Sequence, residues 1–253
     1  MSDKKIFFAE GESPEMLDAY AKAQATFKYF WRELSWEHRR IVPGLNVACV
    51  KVAFSQQFPG ADRPTVEHMW INDINFDGDT IYGILINDPN ELTNVNNGDE
   101  ISVPVSQISD WLFAINDRTY GGFTMQAMRA GMTEEERQEH DEAWGLEFGD
   151  YNHVLIVNKQ EENPENLIEH PMSKNMKPSF VDFLKQNPGE LNATDDAGFT
   201  LLHKESIAGN LSIVEVLLEH GADTSKQTNA GKTALDYAKQ LNWEHLIPVL
   251  EGK

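Results

Sequence analysis

Residues 198–250 repeat themselves at a fixed spacing. Gly198, Thr200 and Leu202 recur as Gly231, Thr233 and Leu235, and Val214 and Leu217 recur as Ile247 and Leu250, each 33 positions on. Self-similarity at such a period restricts this part of the chain to stacked units, each packing only on its neighbours. Thr200 and His203 stand where they can hydrogen-bond the turn that opens a first helix. Gly209 and Gly221 stand where each helix ends and a positive φ is wanted. Leu217 and Leu218 then fill the seam between units. Run backwards, the offset aligns Leu184 with Leu217 and Asn192 with Ser225, with Phe180, Phe183 and Leu184 as the apolar face of a capping helix. Asn187-Pro188-Gly189 is its stop signal. The tail after Gly231 is short, so residues 174–253 read as one full unit between two partial ones.

The pattern Gly-x-Thr-x-Leu-His, then Gly-Asn, Ile-Val-x-x-Leu-Leu and Gly-Ala-Asp, over 198–223, resembles the ankyrin repeat. The resemblance implies an all-α stack with no chemistry of its own and a concave face offered to another protein. Arrays need about three units before stacking buries enough surface, so this one is expected to lean on the domain before it. One departure stands out: Glu205-Ser206 occupies a place where the family packs Ala-Ala. A carboxylate there costs stability unless it is paired or displaced. Either the helix shifts locally and Glu205 faces solvent, or Glu205 makes a specific contact to the preceding domain.

Charge bounds the ligands. With 21 Lys+Arg against 41 Asp+Glu, the net charge of −20 argues against nucleic acid and anionic membrane as partners. Residues 132–170 carry 12 acids and 2 bases, half of that net charge, whereas residues from 171 onward are near balance with 11 acids and 8 bases. The acidic segment is either a solvated face or the docking surface for a basic protein. One cysteine, Cys49, rules out an internal disulfide and agrees with a reducing cytoplasm. Its neighbours Val47, Ala48, Val50 and Val52 make it a buried strand residue. No apolar run approaches the roughly 18 residues that span a bilayer, and the first 16 residues hold only a four-residue apolar patch, so they read as no secretory signal.

The first 158 residues read as a separate domain. Ser13-Pro14-Glu15 is an N-cap, a proline at the first helical position and an early acid. Tyr20, Phe27, Phe30, Trp31 and Leu34 then follow near helical spacing, an amphipathic helix of about 15–20 residues with an aromatic face. Pro43-Gly44 ends it. From Leu45 the period becomes two, giving strands around Val47–Phe54, Val66–Phe76, Thr80–Ile86, Glu100–Val105 and Asp110–Ile115. Gly83 marks a bulge or a close backbone approach, and the chain after Asp117-Arg118 turns through Gly121–Thr124. Thr133 and Glu136 form a capping box for a helix to about Trp144. His153–Val157 reads as a short apolar strand, and Lys159–Ser173 as a linker. The expected architecture is α+β: an N-terminal helix packed on a small curved antiparallel sheet or partial barrel, then the repeat stack.

Val50–Phe54, Glu67–Trp70, Asp77-Gly78-Asp79, Asn97-Gly98-Asp99, Val103-Pro104, Ile108–Trp111 and Gly121-Gly122-Phe123, in this order, resemble the bacterial YegJ-like domain of unknown function. The resemblance covers about 13–125. It implies frequent fusion to ankyrin repeats and carries no established activity, so it assigns no catalytic residue.

No constellation in the sequence specifies a reaction. Glu67 and His68 are strand neighbours that point to opposite faces, and His140-Asp141 falls on an acidic helix read as exposed. His-x-x-x-His, Cys-x-x-Cys, Gly-x-Ser-x-Gly and phosphate-loop patterns are absent, and the Asp77/Asp79 turn lacks the spacing of a calcium loop. The sequence therefore points to a non-catalytic, cofactor-free protein that binds another protein. Asp195, Phe199, Asn229 and Lys232 are its contact residues on the repeats. Glu134, Glu135, Glu136 and Glu139 are the acidic residues that would mask a basic toxin if the chain is an immunity or antitoxin protein. The alternative is a small-molecule or enzymatic site in the first domain around Lys51, His68, Trp70 and Asp110.

Overall fold

The computed structural model describes residues 13–252; the N-terminal stretch read as no secretory signal falls largely outside them. The chain forms two compact units. The first comprises the residues up to Phe30 together with Ile41–Asn158; the second comprises Trp31–Arg40 together with Lys159–Lys253.

Helix α1 (Pro14–Glu37) contributes to both, and its burial changes where the division falls. In its first part the buried residues are Met16, Ala19, Ala23, Phe27 and Phe30, the three- and four-residue spacing of a one-sided helix. From Trp31 to Trp36 every residue is buried. The aromatic face read from Tyr20 to Leu34 is real, but the helix runs 24 residues, longer than the spacing suggested.

In the first unit, β1 (Val47–Gln56), β2 (Thr65–Phe76), β3 (Thr80–Leu85), β4 (Glu100–Pro104), β5 (Ile108–Ile115) and β6 (Arg118–Gly121) form one antiparallel sheet in the order β4-β3-β2-β1-β5-β6. It is an open sheet with β4 and β6 at its edges. Trp111 on β5 is fully buried, and its indole N–H donates to the Ala23 carbonyl of α1 at 3.0 Å. Phe27 meets Phe76 edge-on and Phe30 lies against Trp111. Truncating one such aromatic to alanine costs about 3–5 kcal/mol. Gly121 ends β6 at φ 75°, where an added Cβ would lie 2.4 Å from Trp111; only glycine fits. Gly83 is likewise a close approach, its missing Cβ falling 2.7 Å from the Asn72 carbonyl, beside the register shift between Asn72 and Asn75 of β2.

Three local expectations are corrected. Phe123–Ala130 forms a helix, α2, where the sequence read a turn through Gly121–Thr124. His153–Val157 is not a strand: Leu155 and Val157 are buried and the Leu155 carbonyl accepts from the Gly121 N–H at 2.8 Å, but the segment forms no ladder. His140, on α3 (Glu134–Trp144), is buried against Phe148 rather than exposed. The Thr133/Glu136 capping box that opens α3 is present.

The second unit holds α4 (Pro171–Gln186), α5 (Leu201–Ala208), α6 (Leu211–Glu219), α7 (Ala234–Gln240) and α8 (Ile247–Leu250). Thr200 with His203, and Thr233 with Asp236, close capping boxes at equivalent ends of α5 and α7. Gly209, at φ 72°, breaks α5 from α6, and its equivalent 33 on, Asn242, takes φ 54°. Counted 33 back, Gly209-Asn210 becomes Met176-Lys177, and the helix runs straight through as α4. The first unit of the stack therefore has one long helix where the second has two.

Residues from α1 and the turn after it fill that end. Arg32 donates to the carbonyls of Asn166, Leu167 and Ile168. Glu33 bonds His170 at 2.9 Å and Arg40 at 3.2 Å. Burial pushes the Glu33 carboxyl up, but the hydrogen bond and charge of His170, with Arg40 and Arg32, outweigh it and leave it lowered. Glu205, only 2 % exposed, bonds Arg39 at 2.8 Å and the Asn210 amide at 2.8 Å. Asn210 in turn accepts from the Trp36 indole at 3.0 Å. Of the two readings of Glu205, the structure shows the specific contact, and Arg39 supplies it. Glu169 takes the Ser212 backbone N–H at 2.6 Å, capping α6, whose own N-cap Asn210 makes no side-chain cap bond.

Removing one partner of a buried pair leaves the other desolvated, although Arg39 is itself partly exposed and screened. Arg39→Ala should therefore cost about 2 kcal/mol, and adding Glu205→Ala should recover about 1 kcal/mol of it, read by denaturant unfolding. A fragment of residues 159–253, lacking Trp31–Arg40, should show no cooperative unfolding transition by circular dichroism. A cooperative transition would mean that the α1 residues are dispensable to the stack.

Candidate functional site

Strand pairing brings three of the four first-domain candidates into one row. On β1, Lys51 stands opposite Trp70 of β2 and opposite Asp110 of β5. Side chains of directly opposed residues share a face, so Lys51, Trp70 and Asp110 converge. His68, two residues from Trp70 on β2, lies on the same face.

Asp110 is fully buried and acts first as a helix cap. Its Oδ1 accepts from the N–H groups of Trp111 and Phe123, both at 2.9 Å. Its Oδ2 accepts from the Thr124 N–H at 2.8 Å and from the Thr124 hydroxyl at 2.5 Å. The N-cap of α2, Gly122, has no side chain to do this; a carboxylate from another strand does it instead, and favours the positive helix terminus. Burial pushes the Asp110 carboxyl up, opposed by the Lys51 charge and by the Thr124 and Trp111 hydrogen bonds.

Lys51 completes the row. Its Nζ donates to the Thr124 hydroxyl at 2.8 Å, sits 4.0 Å from the Met125 sulfur, and lies over the Trp70 ring at 4.7 Å from the centroid. Burial pushes the ammonium down, opposed by Asp110. Cys49, two residues along β1, is a core residue beside Trp70, Leu112, Met125 and Phe148, its thiol pushed up by burial to about 12, far from a nucleophile at neutral pH.

His68 stacks on Tyr20 at 5.1 Å between ring centroids, with the Tyr20 hydroxyl 3.4 Å from its Nε2. Its Nδ1 is buried with no hydrogen-bond partner. Burial and the Lys51 charge hold the imidazole below its usual range. Glu67 points elsewhere: its carboxylate accepts the backbone N–H groups of Asn90, Glu91 and Leu92, and pins that loop. The two neighbours form no dyad. Lys51, His68, Trp70 and Thr124 line a 490 Å³ hollow together with Tyr20 and Met128. Asp110 sits behind Thr124 rather than in its wall.

The repeat-face candidates are placed differently. Asp195 accepts the N–H groups of Ala197 and Phe199 and pairs with Lys204 at 2.8 Å. Asn229 joins two turn tips, its backbone N–H donating to Ala197 and its side chain to Asp196. Phe199, half-buried, packs on His203 and Tyr237, and the Lys232 ammonium bonds Gln240. On α3, Glu134 pairs with Arg137 and Glu136 closes the capping box, while Glu135 and Glu139 are exposed. Thr124 and Tyr20, which complete the hollow, are absent from the candidates read in the sequence. Thr124 had no signal because α2 itself had none, and Tyr20 read only as helix core. Among the described residues, no group of three His, Cys, Asp or Glu side chains is placed to hold a metal, and no helix is long and apolar enough to cross a membrane.

A six-stranded antiparallel sheet with its helices, followed by stacked helix pairs, defines an α+β domain joined to ankyrin repeats. Residues 13–148 match the family described as an uncharacterized protein conserved in bacteria (DUF2314), and 184–238 match ankyrin repeats. The chain belongs to this DUF2314 family. It is 50 % identical over 253 residues, all of this chain and 99 % of the relative, to a Neisseria meningitidis serogroup B protein named for its ankyrin repeats. It is 33 % identical to the uncharacterized Escherichia coli protein YegJ over 86 residues, 34 % of this chain and 56 % of YegJ. No solved structure matches. The ankyrin repeats imply protein–protein interaction.

A folded pKa below the usual value means that the unfolded chain takes the His68 proton first, so stability falls as pH drops below about 6.5. Protein NMR should show His68 titrating below that value. His68→Gln should lose less stability than the parent between pH 7 and the His68 midpoint.

Proposed function

We propose that this protein works by binding another protein through the joined turn tips of its repeats, without catalysis, in the cytoplasm. The observation that carries the reading is the tie between the tips, Asn229 to Ala197 and Asp196. Two hairpin ends linked by backbone and amide bonds make one pre-ordered edge, which lowers the entropic cost of docking. In this reading Asp195 and Asn229 shape the edge, and Phe199 and Lys232 meet the partner. The net charge of −20 favours a basic protein over nucleic acid or an anionic membrane.

The narrower form of the proposal makes the partner a basic toxin and the chain its immunity or antitoxin protein, with α3 as the attracting surface. Glu135 and Glu139 are exposed there, beside Glu134 and Glu136. Rim charges of this kind act chiefly on association rate and salt dependence. The full-length protein, used as bait in lysate of its source bacterium, should retain one stoichiometric partner. Phe199→Ala with Lys232→Glu should reduce that retention at least tenfold. Changing Glu134, Glu135, Glu136 and Glu139 to Gln should slow association and flatten its salt dependence if the partner is basic. Unchanged retention by the first variant would remove the repeat edge from the reading.

A second reading is favoured by one observation, the convergence of Lys51, His68 and Thr124 on a single hollow in the first unit. In that reading the DUF2314 domain holds a small molecule, and the repeats provide a separate protein contact.

A further inference from the structure

Three features of the first unit point at the same space. Asp110 spends both oxygens on four donors, Trp111 N–H, Phe123 N–H, Thr124 N–H and the Thr124 hydroxyl, which fills the roughly four lone-pair sites of a carboxylate. Lys51 therefore meets Asp110 through the Thr124 hydroxyl, which accepts from Nζ and donates its own hydrogen bond to Oδ2. An ammonium has three donors. One goes to Thr124, one faces the Met125 sulfur at 4.0 Å, a weak acceptor, and the Trp70 face takes charge but no lone-pair bond. Lys51 is half-buried, and an ammonium so placed is completed by water or a ligand.

His68 supplies the second unfinished group, with its Nδ1 buried and without a partner, in the wall of the same hollow as Lys51. The hollow measures 490 Å³, within the roughly 300–1,000 Å³ of small-molecule sites. Its remaining lining is a mixture of apolar residues, among them Trp70, Tyr20 and Met128, and polar ones, among them Asn87, Asp88 and Asn90.

We propose that this hollow binds a small organic monocarboxylate, its carboxylate held by Lys51 Nζ and His68, and its apolar remainder lying against Trp70, Tyr20 and Met128. The inference rests on the second reading above and adds the ligand's class to it. The charge balance selects the class. Lys51 offers one positive centre with donors to spare, which suits a single carboxylate in a desolvated site. Lys51 is the one lysine or arginine in the lining, which also includes Glu67 and Asp88, so a second negative charge finds no second cation and phosphate and dicarboxylates fit poorly. The imidazole donates from Nδ1 in the tautomer that leaves Nε2 to accept from the Tyr20 hydroxyl, so one proton arrangement satisfies both ring nitrogens.

The test is an NMR titration of the full-length chain with benzoate and with hexanoate, against benzyl alcohol and inorganic phosphate as controls. The expected result is saturable shifts of Lys51, His68 and Thr124 with at least one carboxylate, and at least tenfold weaker effects from benzyl alcohol and phosphate. Lys51→Met should abolish the response. Because that change also removes the cation near Asp110 and can unfold the domain, His68→Phe provides the second variant. It keeps a ring against Tyr20 and should weaken binding several-fold while leaving the fold's spectrum intact. Equal binding of benzyl alcohol and benzoate at these residues would overturn the carboxylate class and leave the small-molecule reading standing. No saturable shift from any of the four probes would overturn both. Saturation by phosphate alone would overturn the monoanion assignment.

Discussion

The second unit depends on a carboxylate buried where a repeat packs a small residue. Glu205 is almost wholly withdrawn from water, and its equivalent 33 positions on is Ala238, also fully buried. An isolated charge there would be untenable. Arg39 and Asn210 make it tenable, and Arg39 comes from the turn that follows α1, some 166 residues earlier in the chain. Once that pair is in place, the neighbouring groups fall into order. Trp36 bonds Asn210, Glu33 bonds His170, and Arg32 takes the carbonyls at the end of the Pro164–Leu167 turn. A short stack that cannot bury enough apolar surface by itself is thus finished by polar groups that demand specific partners. A buried pair of this kind adds little net stability over apolar packing, yet removing one partner is costly, so the stack is tied to the residues that follow α1.

The first unit applies the same logic at Asp110. A helix start without a capping side chain is completed by a carboxylate from a neighbouring strand, and the buried charge is balanced at one remove by Lys51 through the Thr124 hydroxyl. The balance is indirect because the cap consumes every acceptor on Asp110. That is why a structural cap leaves Lys51 with bonding capacity in a hollow. The structural role of Asp110 and the availability of Lys51 are two consequences of one geometry.

What could be read from the chain and what could not follow from the range of the forces involved. Thr200 with His203, Thr133 with Glu136 and the Gly209 break act over three or four residues, so they are visible in the sequence. The alternation of β1, β2 and β5 gave the faces of Lys51, His68, Trp70 and Asp110, but that β1 lies between β2 and β5 and so brings them together is a matter of pairing, which the period does not carry. By contrast α2 was missed because its cap, Asp110, lies 13 residues before Phe123, on a strand. His153–Val157 had the composition of a strand but lacks a ladder, a matter of partners rather than propensity. The two fates of Glu205 could not be separated because the deciding residue lay in what read as another domain.

Helix α1 carries the consequence furthest. The DUF2314 match spans 13–148 without interruption, yet Trp31–Arg40, inside it, pack as part of the repeat unit. A family boundary drawn along the sequence and a folding boundary drawn through contacts therefore disagree over ten residues. Those ten hold Arg32, Glu33, Trp36 and Arg39, the side chains that finish the stack. Separating the two units by cutting after Asn158 would strip the repeats of these partners and leave His170, Asn210 and Glu205 with unmet polar groups. Loss of binding in such a fragment would report unfolding of the stack as readily as loss of a contact, so point changes in the intact chain are what distinguish the edge of the repeats from the hollow of the first unit.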